Sequence, residues 1–309
     1  MAKLRHISGM PVSEGVRLEA GAYTVFAVRN ANRDISVRLR REPRGLVRAC
    51  MRIPFLRGVA RLIRDVVRFF DGLSESAELE PQRPVRGTAV ERALAKLLRI
   101  HPQTLVVLTS AILIPVIAFL GLYAAPKGIE FLLRRYLTLS RAELNAAVCA
   151  MRAFGLLAVV AGVGRLRVCR RLLMYAGAIN KAVNCYECRD ELSAESAAAY
   201  PIVARHSESA FVVGVLFLAL VAFPWLPAQV LPLAVLTRII VLLLIAALLN
   251  EPYSALERAK LTLPVRVLRA PMDFLQHMTA LEPHPQMLEV AVCAIEAVLG
   301  ESVEEVKPS

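Results

Sequence analysis

The densest group of side chains able to do chemistry lies between Tyr175 and Cys188, in a polar segment set between two pairs of strongly apolar runs. It carries an amine at Lys181, thiols at Cys185 and Cys188, a phenol at Tyr186 and a carboxylate at Glu187. Glu187 is the candidate acid/base, with Lys181 and Tyr186 as the other catalytic candidates. The competing role for Lys181 and Glu187 is a structural ion pair or a cap near a membrane surface, and residue type alone does not separate the two. Cys185-Tyr186-Glu187-Cys188 is a CxxC, and with His206 downstream it offers the thiolate and imidazole donors that zinc takes. A zinc pattern normally brings a second pair, which is missing here, so Cys188 and His206 also read as ordinary cytoplasmic residues.

What must position these groups is set by composition. Of 309 residues, 56% are hydrophobic, and the mean hydropathy is +0.51, above the range of a soluble domain. A net charge of +12 would suit nucleic acid, but aromatic residues make up only 6% and no nucleic-acid module motif occurs. The Arg excess therefore reads as the loops and cytoplasmic flanks of a membrane protein, with no nucleic-acid partner. Six cysteines, Cys50, Cys149, Cys169, Cys185, Cys188 and Cys293, are scattered through a long chain, which points to reduced thiols over a disulfide framework. The start, Met1 to His6, leads into Gly- and Arg-rich sequence without a short apolar core and cleavage site, so an internal segment is expected to direct insertion.

Apolar runs predict four crossings. Residues 104–125 are uncharged and long enough to span about 30 Å of hydrocarbon as a helix. Residues 145–166 form the second run, where Arg152 must snorkel, pair, or mark a later helix start. The third, 209–226, ends in Pro224-Trp225-Leu226-Pro227, a helix break with an indole at the expected bilayer interface. The fourth, 230–249, carries Arg238 near its middle, expected to pair with a carboxylate because its flanks are apolar, and Glu251 follows it. Four crossings put both termini and residues 167–208 on one side. Arg165, Arg167, Arg170 and Arg171 assign that side to the cytoplasm, while Lys127, Arg134 and Arg135 in the loop 126–144 pull the other way.

Outside these runs, Gly9, Pro11, Gly15 and Gly21 make 8–21 read as a turn-rich entry. Residues 22–41 alternate around a turn as a β-hairpin with one basic face. Residues 46–73 repeat apolar side chains at helical spacing opposite Arg48, Arg52, Arg57, Arg61, Arg64 and Arg68, with a break or kink near Pro54. Such a helix suits an anionic membrane surface; the alternative packs it on the hairpin and bundle with its Arg face in solvent. Residues 74–90 read as an acidic linker, and 264–279 and 285–300 as amphipathic helices, the second stopping at Gly300. The expected fold class is mainly α and integral to a membrane, with about four transmembrane helices, an N-terminal β-hairpin and cytoplasmic amphipathic helices. It divides into a cytoplasmic region 1–103, a transmembrane region 104–250 carrying the cytoplasmic motif segment 167–208, and a cytoplasmic C-terminal region 251–309.

Several ordered motifs bear on identity. They are Ser8-Gly9-Met10-Pro11-Val12-Ser13-Glu14-Gly15-Val16, then Ile53-Pro54-Phe55-Leu56-Arg57-Gly58-Val59 with Ser76-Ala77-Glu78, then Thr237-Arg238 and Glu251. Arg269-Ala270-Pro271, Leu275-Gln276, Thr279, Glu282-Pro283 and Leu288-Glu289-Val290-Ala291 follow toward the end. Together, over most of the chain, they resemble the YqhQ-like family of uncharacterised bacterial multipass membrane proteins, labelled as metal-dependent enzymes. The resemblance breaks at the central motif, where the family reads Tyr-His-Gly-Ala-Glu-His-Lys. Here Ala176, Ile179 and Asn180 replace the His, Glu and His, and Ala204 and Ser207 stand at a downstream His and Cys, while Gly177, Ala178, Lys181, Asn184, Cys185, Tyr186 and Glu187 persist.

Ala and Ile offer no lone pair and Asn is a poor ligand for a borderline metal, so the metal site that the resemblance implies is expected to be lost or weakened. The functional expectation is a non-catalytic scaffold or partner subunit without a cofactor. It would work in the lipid bilayer of the bacterial plasma membrane, both termini cytoplasmic, beside an intact paralogue or another membrane protein. The alternative is a membrane-embedded enzyme holding a divalent metal at a rebuilt site of Cys185, Cys188 and His206, with Glu187 as acid/base. A transporter with Arg238 and Glu251 along a polar path is a third class, disfavoured by the scarcity of charge within the crossings.

Overall fold

The structure, a computed structural model, describes residues 7–21, 23–30, 34–41, 53, 56–79, 120–137, 140–204, 208–226, 231–259 and 262–304. It is mainly helical, with an antiparallel sheet at the N-terminal end. The strands are β1 (Ile7–Val12), β2 (Gly15–Ala20), β3 (Tyr23–Arg29) and β4 (Ile35–Arg41). The helices are α1 (Leu56–Leu79), α2 (Ala125–Tyr136), α3 (Arg141–Val163), α4 (Arg167–Cys188), α5 (Ala194–Ala198), α6 (Glu208–Ala222), α7 (Leu231–Arg258), α8 (Leu263–Thr279) and α9 (Pro285–Glu304). Two compact units result, one of residues 1–81, 171–219 and 228–309, the other of 82–170 and 220–227.

In the first unit the strands form a meander in spatial order β1-β2-β3-β4. β3 and β4 are the hairpin expected over 22–41, with Val25 opposite Leu39 and Ala27 opposite Val37. Within residues 8–21, expected as a turn-rich entry, 8–12 and 15–20 are strand, and the turns are confined to 13–14 and to Gly21, whose φ of 68° suits a glycine. Gly9 and Gly15 instead serve close approach: a Cβ on Gly9 would lie 2.4 Å from Leu18 Cδ2, and one on Gly15 would lie 2.2 Å from the Ala27 carbonyl oxygen. Pro11 is tolerated because β1 is an edge strand.

The central strands are covered on both faces. Val16, Leu18, Val25 and Ala27 join Tyr175, Ala178, Ile179 and Ala182 of α4 and Val290, Ala294, Ile295 and Val298 of α9 in one apolar core. On the other face lies α1, where Arg17 donates from Nη1 to the Arg68 carbonyl at 2.9 Å and Arg68 pairs with Glu19. A second apolar cluster, Leu62, Phe211, Val215, Ala246 and Tyr253, joins α1, α6 and α7.

Helix bounds depart from expectation where local signals were overridden. α1 continues to Leu79, so residues 74–79, expected as linker, are helical. α7 runs for 28 residues through Pro252, and α9 passes Gly300 to end at Glu304.

The second unit contains α2, built almost wholly from residues expected as loop, and all of α3. Ser140 starts α3 through a capping box: its hydroxyl accepts from the Glu143 N–H at 3.3 Å, and its own N–H donates to the Glu143 carboxylate at 2.7 Å. The helix therefore begins before residue 145, and Arg152 lies inside it. A Cβ on Gly155 would lie 2.3 Å from the Gly121 carbonyl oxygen, a small-residue contact of the kind that lets apolar helices approach. Two helical stretches, Arg141–Gly162 and Pro232–Glu257, are long and apolar enough to cross a membrane, and Ala210–Trp225 is apolar but shorter. Residues 104–119 of the first expected crossing lie outside the described residues.

Candidate functional site

α4 sets Asn180 and Asn184 four residues apart, on one helical face. Both reach the segment 198–204. Asn180 Nδ2 donates to the Ile202 carbonyl at 2.8 Å, and Asn184 Nδ2 to the carbonyls of Pro201 and Val203, each at 2.9 Å. Lys181 Nζ donates to the Ala198 carbonyl at 2.8 Å and pairs with Glu282. Gln276 of α8 takes both backbone groups of Ala204, accepting from its N–H at 2.9 Å and donating to its carbonyl at 3.0 Å. An irregular packed segment has no ladder to satisfy its backbone, and these amides and the ammonium supply the partners. Gly177 makes room for the return of the chain, since a Cβ there would lie 2.0 Å from the Leu281 carbonyl oxygen.

The positions at which the family resemblance implies ligands are filled by packing. Ala176 and Ile179 are buried, and the Ile179 methyl Cγ2 would meet a Cβ on Gly9 at 2.8 Å. The Asn180 amide and the Ala204 backbone are engaged as described above. His206 and Ser207 lie outside the described residues. Among the described residues no three His, Cys, Asp or Glu side chains converge on a metal position.

The three catalytic candidates are not brought together. Lys181 is 5% exposed and turned to Ala198 and Glu282, while Tyr186 packs half-buried against the core. At about 100° per residue, Tyr186 and Glu187 stand roughly 140° and 240° around α4 from Lys181. Cys185 is buried with Sγ 3.5 Å from the Glu191 carbonyl, and Cys188 is exposed at the helix end. Burial, reinforced by Asp190 and Cys188, pushes the Cys185 thiol up, which disfavours the free thiolate a nucleophilic role requires. Tyr200 donates its hydroxyl to Asp190; that bond first, then burial and Cys188, raises the phenol well above its ordinary value.

A second polar assembly lies between α1 and α7. Arg57 donates from Nε to Glu251 Oε1 at 2.8 Å and from Nη2 to Oε2. Arg61 pairs with Glu257 at 3.2 Å, its guanidinium 4.7 Å from the Phe211 ring centroid and 4.9 Å from that of Tyr253. Arg64 pairs at 2.9 Å with Asp65, whose side chain is 0% exposed. Of the arginines expected to face anionic lipid or solvent, Arg57, Arg61, Arg64 and Arg68 are thus met by carboxylates of the fold itself, while Arg48 and Arg52 lie outside the described residues. Their spacing was visible in the sequence, but partners nearly two hundred positions away carried no local signal, with Arg57 and Glu251 separated by 194 residues. Arg238, expected to pair with a carboxylate, is exposed and has no such partner among the described residues.

Residues 53–301 match the family described as "Protein of unknown function (DUF1385)". The chain is 23% identical over 289 residues, 92% of its own length and 89% of the relative's, to "Uncharacterized protein YqhQ" of Bacillus subtilis (strain 168). No solved structure matches it. The segment clamped by α4 and the Arg57–Glu251 pair both fall within the matched residues, and the chain belongs to the DUF1385 family as a YqhQ-like protein.

Proposed function

We propose that this chain is a multipass membrane protein that acts without catalysis, as a scaffold or partner subunit built on the frame of a degenerate metal site. One observation carries the reading: Asn180, Lys181, Asn184 and Gln276, the polar side chains grouped at the central motif, are all committed to main-chain groups of residues 198–204. Side chains held this way fix a backbone segment. Buried Ala176 and Ile179 complete the same replacement of chemistry by packing.

The membrane assignment is supported by α3 and α7, by the apolar α6, and by the uncharged run 104–125. Four crossings in the bacterial plasma membrane, with both termini cytoplasmic, follow from that reading. An intact paralogue or another membrane protein is the proposed partner. The rebuilt-site alternative is disfavoured by the burial of Cys185 and its contact with Glu191.

Metal analysis of the purified full chain tests the proposal against an Ala176→His, Ile179→Glu, Asn180→His variant. The expected result is substoichiometric metal in the native chain. Stoichiometric metal there would overturn the non-catalytic reading, and its loss on Cys188→Ser would assign the ion to the rebuilt site.

A further inference from the structure

Two helices of the first unit are amphipathic in the sense opposite to that of a water-facing helix. In α1, Gly58, Leu62 and Asp65 are buried and Arg57 and Arg61 turn onto carboxylates, whereas Leu56, Ile63, Val66 and Val67 are exposed, Val67 at 51%. At 3.6 residues per turn those four apolar side chains fall on one stripe. In α8, Arg269, Gln276 and Thr279 are buried whereas Leu263, Val267 and Phe274 are exposed, Val267 at 68%. Spacings of four and seven put these three on one stripe as well.

The first stripe begins beside a helix able to cross a membrane. A Cβ on Gly58 would lie 2.2 Å from the Ala246 carbonyl oxygen of α7, and Leu244 and Leu248, flanking Ala246, are exposed in turn. Charge points the same way. Because Arg57, Arg61, Arg64 and Arg68 are matched by Glu251, Glu257, Asp65 and Glu19, the outward stripe of α1 from Leu56 to Val67 is left neutral and apolar. Soluble folds avoid apolar exposure of this extent, whereas the acyl region of a bilayer accommodates it. On α8, Arg266 and His277 are exposed alongside the stripe, where their polar ends can reach headgroups.

We propose that α1 and α8 lie in the membrane interface with these stripes turned into the acyl chains, so that lipid covers what the fold leaves bare. This rests on the membrane reading above and reverses the orientation expected of a basic amphipathic helix: the arginines of α1 face inward onto protein carboxylates, and the apolar side chains face the lipid.

The test uses the full chain in phosphatidylcholine–phosphatidylglycerol vesicles with bromine placed high or deep on the acyl chains. A Trp225→Phe background removes the single tryptophan, and one indole at a time is introduced by Val67→Trp, Val267→Trp or, midway along the expected crossing 230–249, at exposed Ile240 by Ile240→Trp. The expected result is at least twofold quenching of the first two by the shallow bromines with little quenching by aqueous iodide, and quenching of Ile240→Trp by the deep bromines. If Ile240→Trp is quenched while the other indoles stay open to iodide, the interface proposal is overturned and the membrane reading stands. Shielding of those indoles from both lipid and iodide, as a second copy of the chain would produce, overturns it equally. If no indole is quenched by lipid, the membrane reading itself fails. Circular dichroism identifies folded variants, and Val66→Trp and Phe274→Trp replace any that do not fold.

Discussion

Arg57 holds both carboxylate oxygens of Glu251, joining the first described turn of α1 to the C-terminal third of α7 across 194 positions of sequence. The neighbouring Gly58 brings the two backbones together, so the pair spans a fixed gap. A planar guanidinium fits that geometry and an ammonium does not. Thermal unfolding in one detergent is expected to rank the native chain above Arg57→Lys and Arg57→Lys above Arg57→Gln. Identical midpoints for all three would show that the pair contributes nothing to the fold.

Asp65 is the most enclosed charge of the same assembly, with its side chain 0% exposed between Arg61 and Arg64. Asp65→Asn keeps the shape and removes the charge that Arg61 and Arg64 both face. Breaking a buried pair from one side costs about 3 kcal/mol. Denaturant unfolding that shows no loss would mean that water, not Asp65, balances the arginines.

Helical glycines in this chain do different work, which a matched pair of substitutions separates. A Cβ on Gly177 would lie 2.0 Å from the Leu281 carbonyl oxygen, whereas one on Gly128 meets nothing within 4 Å. Gly177→Ala must displace backbone and is expected to cost at least about 2 kcal/mol. Gly128→Ala is expected to stabilise by up to about 1 kcal/mol through helix propensity. Similar effects at both positions would contradict the close packing of α4 against the turn at Leu281.

These glycines also show where sequence reading runs out. The alternation in 35–40 and the Arg spacing of α1 were readable because each is a local period. Gly9 and Gly15 were misread as turn formers because composition does not distinguish a glycine that bends the chain from one that admits a neighbour; Leu18, Ile179 and Ala27 provide that reason in space. The inward turn of Arg57, Arg61 and Arg68 was hidden for a similar cause: Glu251, Glu257 and Glu19, which meet them, come from the end of α7 and from β2. At the central motif the loss of ligand-bearing types was legible residue by residue, but the use of Asn184 and Gln276 as backbone clamps was not, since their acceptors belong to an irregular segment.

That clamp makes a local prediction. Asn184 donates to two carbonyls, so Asn184→Ala strips the segment 198–204 of partners worth about 1–2 kcal/mol. Amide hydrogen exchange is expected to quicken within 198–204 while the middle of α4 stays protected. Asn184→Asp should be worse than Ala, because it turns an acceptor-only carboxylate toward carbonyl oxygens. Exchange unchanged in both variants would remove the clamp from the account of this motif.

Tyr200 and Asp190 give the pH dependence a definite sign. Ionising the phenol breaks its bond to the carboxylate and places a second negative charge beside it, so the pKa in the folded protein stands above the ordinary value of about 10. The unfolded chain then releases its proton first as pH rises. Stability from this pair is therefore fully present below about pH 10 and is lost progressively above it. Tyr200→Phe is expected to lower the unfolding midpoint at neutral pH and to narrow its difference from the native chain as pH climbs beyond that point. Ultraviolet titration checks the cause directly: the phenolate signal removed by Tyr200→Phe should be the late part of the tyrosine titration, and its appearance with the ordinary tyrosines would mean that the bond to Asp190 does not hold in solution.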